Sequence, residues 1–144
     1  MINLAAAPLA STIVALGLIP VAFLFVHAFF SGWKSKKFHA VSGAVAIVWD
    51  LSLSIGYMLF RSFGGAVEGA SLQLNQTLTA YFAVHGAVAV AVMALEFAVL
   101  GVGVRQLQLK KKIAWHGKLA KVLFGLWWFA FLSGEIFYIA IYIL

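Results

Sequence analysis

Apolar residues fall into four long runs separated by short polar stretches. At ~1.5 Å per residue, about 20 apolar residues carry a helix across a hydrocarbon core of ~30 Å. Each run meets that length, with spans placed at roughly 9–31, 38–61, 77–104 and 117–143. The pattern predicts an all-α integral membrane four-helix bundle, with residues 1–144 forming a single four-span transmembrane domain.

The second run has the clearest two-sidedness. At the helical period, positions 39, 43, 46, 50, 54 and 57 share one face, which reads His, Gly, Ala, Asp, Ser, Tyr. The opposite face is Val, Ile and Leu. Lipid cannot satisfy the polar face, so that face has to meet other helices or a cofactor.

A weak repeat relates the two halves. Lys34-Ser-Lys-Lys-Phe-His39 is similar to Lys110-Lys-Lys-Ile-Ala-Trp-His116, and Trp49 and Trp127 follow ten and eleven residues later. Leu53-Ser-Ile-Gly-Tyr57 is likewise similar to Leu132-Ser-Gly-Glu-Ile-Phe-Tyr138. Each half would be one hairpin, and the two would be parallel repeats about an axis along the membrane normal. A Lys-rich loop before an aromatic helix accounts for the same likeness without any repeat.

Composition sharpens this picture. The chain is 65% apolar and only 10% charged, and its mean hydropathy is +1.06. These values belong to a membrane protein. The absence of Cys removes disulfides, thiolate metal sites, iron–sulfur clusters and covalent c-type haem attachment. The net charge of +6 is juxtamembrane, so it reads as a topology signal and not as a nucleic-acid patch. Lys34, Lys36 and Lys37 follow the first run, and Arg105, Lys110, Lys111, Lys112, Lys118 and Lys121 follow the third. The loop after the second run holds only Arg61 and Glu68. The positive-inside rule then puts both basic loops in the cytoplasm, and both termini and the 62–76 loop outside. No Lys or Arg precedes the first run, and nothing apolar enough precedes Ala5-Ala-Ala7, so the first run is expected to be a retained helix and not a cleaved signal. The expected location is the cell's inner (cytoplasmic) membrane, crossed several times. Lys110–Lys112 reads first as a topology anchor and second as an anionic-lipid site.

Ionisable residues inside a span are costly and by default mark function. His85 and Glu96 are eleven residues apart, as are His39 and Asp50, so each pair shares a face over ~3 turns. Depth along the runs sorts the groups into two clusters. The inner one holds His27, His39, His116 and Glu96, and the outer one holds His85, Glu135, Asp50 and Tyr57. Three readings compete: the imidazoles ligate a metal or haem, the His–acid stripes relay protons, or the polar groups pair for packing. His85 lies roughly 19 residues, or ~28 Å, from the inner end, so one cofactor cannot use both levels. We therefore expect at most one bis-His haem b, at the inner level from His27, His39 and His116, and a mixed metal site of His85, Glu135 and Asp50 at the outer level. Copper, iron and zinc all suit such donors. Glu96 and Tyr57 are expected as further buried polar groups. No Ser–His–Asp order or nucleophile elbow points to a hydrolase, and no independent catalytic activity is expected.

Lys37-Phe-His39, Tyr81-Phe-Ala-Val-His85 and Lys112-Ile-Ala-Trp-His116-Gly-Lys-Leu-Ala-Lys, followed by Trp127, Ser133-Gly134 and Tyr138, carry a resemblance over residues ~34–142. The chain resembles the four-helix bacterial membrane family that includes the cytochrome oxidase maturation factor CtaM. It departs from that family in having no His shortly after Tyr57, and His27, Asp50 and Glu135 do not map onto it. The resemblance implies haem or metal handling by an accessory subunit or assembly factor of an aerobic respiratory complex of the haem–copper oxidase type. Its partners would be the lipid bilayer and respiratory-complex subunits, with no nucleic acid. The alternatives are a bis-His haem b electron-transfer subunit and a purely structural membrane subunit.

Overall fold

The computed structural model describes residues 8–32, 34–64 and 75–143. Ala5–Ala7 and most of the expected outward loop, including Glu68, lie outside the described residues. Four helices follow one another: α1 (Leu9–Ser31), α2 (Lys36–Ser62), α3 (Gln76–Leu109) and α4 (His116–Tyr142). All four are long and apolar enough to cross a membrane, and there is no strand among the described residues. The protein is an all-α four-helix bundle of the multi-pass membrane type.

The helix ends follow local chemistry. Ser35 and Asn75 cap α2 and α3, accepting from the backbone N–H of Phe38 at 3.5 Å and of Leu78 at 2.9 Å. Seven of the eight helix ends fall within two residues of the hydropathy limits, but α3 runs on from 104 to Leu109. Hydropathy stops at the first charge, whereas Arg105-Gln-Leu-Gln-Leu109 are good helix formers and continue the turn. The helix ends where Lys110 takes a left-handed conformation, φ 51°. The Gln106 side chain then accepts from the Ile113 N–H at 2.8 Å, folding the short α3–α4 loop back on the helix end.

α1 packs chiefly on α2 and α3 chiefly on α4, and thinner α1–α4 and α2–α3 seams join the two hairpins. Val21, Phe25, Ala46, Ile47, Val92, Leu123 and Trp127 fill the centre. Phe25 stacks on Trp127 with ring centres 4.6 Å apart. On α2 the buried residues are Ser42, Ala46, Ile47, Asp50 and Leu51, while Val41, Val45, Val48, Trp49 and Ile55 are exposed. The expected polar face does point inward. Ile47 and Leu51 flank it and pack in the core, so the lipid face is narrower than the sequence alone implies. The exposed apolar surface is the surface that a bilayer covers.

Candidate functional site

Three polar levels are stacked along the bundle axis. At the end that carries the basic loops, the expected inner end, α2 and α4 hold His39 and His116 in their first turns, residues at corresponding positions of the two hairpins. Their ring centres are 6.0 Å apart and their planes cross at 83°. His39 Nδ1 lies 2.7 Å from the Ala28 carbonyl oxygen. A carbonyl only accepts, so Nδ1 carries the hydrogen and a neutral His39 keeps its lone pair on Nε2. Gly32 lies close behind: a Cβ there would come within 3.2 Å of His39 Nδ1. His116 Nδ1 is buried and has no hydrogen-bond partner among the described residues. Gly103 of α3 approaches this ring, and a Cβ there would lie 3.5 Å from His116 Cε1.

His27 does not join this pair. It is exposed and lies in an outward groove of about 350 Å³ with Lys34 and Phe38, the Phe38 ring edge-on at 6.5 Å. α1 is apolar almost all round, so its sequence carried little sign of which way His27 would face.

Eleven residues above His39, at ~16 Å along the helix, Asp50 lies within hydrogen-bonding reach of the Glu96 carboxyl and the Trp127 indole. Asp50 is 4% exposed and Glu96 0%. No N–H donor among the described residues reaches either Glu96 oxygen, so the carboxyl's contact is with Asp50, and two facing carboxyls bond only when one of them carries a proton to donate. No cationic side chain among the described residues pairs with either. The expected grouping put Asp50 with the outer set and Glu96 with the inner one. The bundle brings them to one level instead, because the lateral packing of α2 on α3 fixes the register.

At the outer level His85 Nδ1 lies 2.9 Å from Ser133 Oγ. Ser133 donates its one hydroxyl hydrogen to the Ala130 carbonyl at 3.0 Å, so His85 Nδ1–H is the donor and Nε2 keeps the lone pair. Tyr81 donates to the Ser133 carbonyl at 3.2 Å. The His85 ring lies over Gly134, where a Cβ would come within 3.3 Å of Cε1. Nearer the outer ends, Tyr57 bonds Ser11 at 3.2 Å and Tyr138 bonds Thr12 at 2.8 Å, tying α1 to α2 and α4. Glu135 is half-buried and joins no metal-sized group with these residues among the described residues. His85, Glu135 and Asp50 therefore do not form one ligand set, and no three His, Asp or Glu side chains converge on a metal-sized point among the described residues.

Sequence reasoning missed Trp127 and Ser133 as site residues. Trp127 is 2% exposed, and Ser133 is buried as the partner of His85. A Ser followed by a glycine and an acid (Ser133-Gly134-Glu135) in an apolar helix was the available signal for Ser133. Trp127 had none, since packing and belt tryptophans read alike. No protein-family model, curated protein or solved structure matches this chain.

Proposed function

We propose that this protein handles a transition metal in the membrane, binding the ion between His39 and His116 at the inner end of the bundle. The observation that carries the reading is the buried, unpartnered Nδ1 of His116 in a ring 6.0 Å from that of His39. A buried nitrogen with no partner costs free energy unless something binds it. With metal–nitrogen bonds of ~2 Å and ~1.1 Å from nitrogen to ring centre, two imidazoles on opposite sides of one ion have centres ~6.2 Å apart. The separation here matches that opposed arrangement and exceeds the ~5 Å of a tetrahedral angle. The Ala28 carbonyl fixes the His39 tautomer, as a supporting hydrogen bond does for many ligating imidazoles.

Two protein ligands leave other coordination positions open, which suits an ion that is passed on and not held permanently. Copper accepts imidazole and tolerates low coordination number, so it is the first metal to test. The resemblance read from the sequence implies that this chemistry serves the biogenesis or support of a haem–copper respiratory oxidase. The protein would act there as an assembly factor or accessory subunit in the inner membrane, with both basic loops in the cytoplasm and both termini outside.

A second reading is a haem b electron-transfer subunit. Imidazoles crossed at 83° with centres 6.0 Å apart also have the separation of two axial ligands of one haem iron. Against it, neither groove of the bundle described here is lined by the two rings, and a macrocycle needs a wide slot between them. A visible spectrum and elemental analysis of the detergent-purified protein separate the readings. A colourless protein that binds about one copper, and loses it in both His39→Ala and His116→Ala but not His27→Ala, is the expected result. A Soret band with a sharp reduced α-band replaces the metal reading with haem. Neither ion nor haem leaves a structural subunit.

A further inference from the structure

A groove at the end of α3 lies outside all three polar levels. It has a volume of about 650 Å³ and runs along the outer side of α3 at its inner end, roofed by the α3–α4 loop. Its apolar part is lined by Phe97, Gly101 and Trp115, and its mouth by Arg105, Lys111 and Lys112. The loop is held in this position by the left-handed Lys110 and the bond from the Ile113 N–H to Gln106. No acidic side chain pairs with the three cations among the described residues. Gly101 leaves the floor open, since a Cβ there would meet nothing within 4 Å.

We infer that this groove binds one anionic phospholipid from the leaflet at the basic end of the bundle. Charge and polarity are ordered as such a lipid is. From Arg105 to Phe97 is eight residues, or ~12 Å along the axis, the length of the first part of an acyl chain. The cations stand at the end of that apolar track, where the headgroup phosphate of a lipid lying along α3 would sit. A zwitterionic lipid carries a compensating choline or amine, which three cations with no acid beside them do not favour. Arg105 offers a planar fork for the phosphate, and the two lysines add point charges on flexible stems. Lys34, Lys36 and Lys37, at the same end, have no comparable track beside them: the groove next to Lys34 is about 350 Å³ and contains one cation.

Native mass spectrometry of protein extracted in mild detergent, with equal phosphatidylglycerol and phosphatidylcholine added, tests the inference. The wild type is expected to retain one phosphatidylglycerol about tenfold over phosphatidylcholine. Arg105→Gln/Lys111→Gln/Lys112→Gln should abolish the preference, while Lys34→Gln/Lys36→Gln/Lys37→Gln, which removes equal charge, should keep it. Gly101→Leu should expel the lipid with no change of charge, and its side chain has open space, so it is the decisive variant should the triple variant misfold. Equal retention of the two lipids by the wild type, equal loss in both triple variants, or full retention in Gly101→Leu would each overturn the proposal. Displacement of the bound lipid by excess inorganic phosphate would also overturn it, because the site would then be one for a free anion.

Discussion

Replacing Asp50 tests the middle level most directly. Asp50 is 4% exposed and sits beside the Trp127 indole and the fully buried Glu96. Asp50→Asn keeps a carbonyl to accept from the indole N–H and adds an amide that can donate to a Glu96 oxygen in place of the Asp50 contact. Asp50→Leu removes the acceptor, leaving the Trp127 N–H and the Glu96 carboxyl both stranded in apolar surroundings. A stranded buried polar group costs about 1–3 kcal/mol in water-soluble proteins, and interhelical polar contacts in membranes average nearer ~0.6 kcal/mol. Taking the lower ends for two groups, Asp50→Leu should be less stable than Asp50→Asn by about 2 kcal/mol. Leu also adds bulk, so the double variant Asp50→Leu/Glu96→Leu is the necessary companion. Removing Glu96 deletes the orphaned carboxyl, and the double variant should recover about 1 kcal/mol relative to the sum of the singles. Reversible unfolding in mixed detergent–SDS micelles, followed by far-UV circular dichroism, reads these differences. Equal stabilities for Asp50→Asn and Asp50→Leu, or strict additivity in the double variant, would refute the contact between the two carboxyls and the indole.

Two other expectations follow from the same geometry. Gly134→Ala places a methyl 3.3 Å from His85 Cε1 and should tilt the ring off Ser133, destabilising the bundle by about 1 kcal/mol in the same unfolding assay. A Gly134→Ala variant as stable as wild type, with an unchanged His85 imidazole NMR signal, contradicts that packing. In cysteine-accessibility labelling of intact cells, Ser35→Cys is expected to be protected from a membrane-impermeant reagent and Ser71→Cys to react, and the reverse pattern inverts the orientation.

How much of this was legible in the sequence differs by level. The four spans were legible because each helix has to bury its own backbone bonds in lipid, and that demand fixes length and composition. The meeting of His39 and His116 was legible too, because both stand at helix starts where short basic loops fix depth. At the middle level the inward facing of Asp50 and Glu96 was legible but their common depth was not, and the partners at the outer level were not legible either. Counting residues from a loop places a side chain along one helix, but helix tilt and lateral packing decide which residue of the next helix lies opposite. That is why Asp50 is found beside Glu96 and not beside His85. His27 failed for a different reason, since an apolar helix with Pro20 inside it and no polar stripe gives no facing to read.

The 34 residues of α3 span ~51 Å, well beyond a hydrocarbon layer of ~30 Å, whereas the 23 residues of α1 span ~35 Å. Both belong to one bundle, so the excess has to be absorbed by lean or by emergence from the membrane, and either choice depends on how thick the host bilayer is. The residues at the far end of α3 include Arg105, Gln106 and the attachment of the basic loop. A membrane thicker by a few ångström would draw that end toward the phosphates, and a thinner one would push it out into water. Bilayer thickness is thus a variable that the length of one helix hands to the inner end of the molecule, with no ligand required.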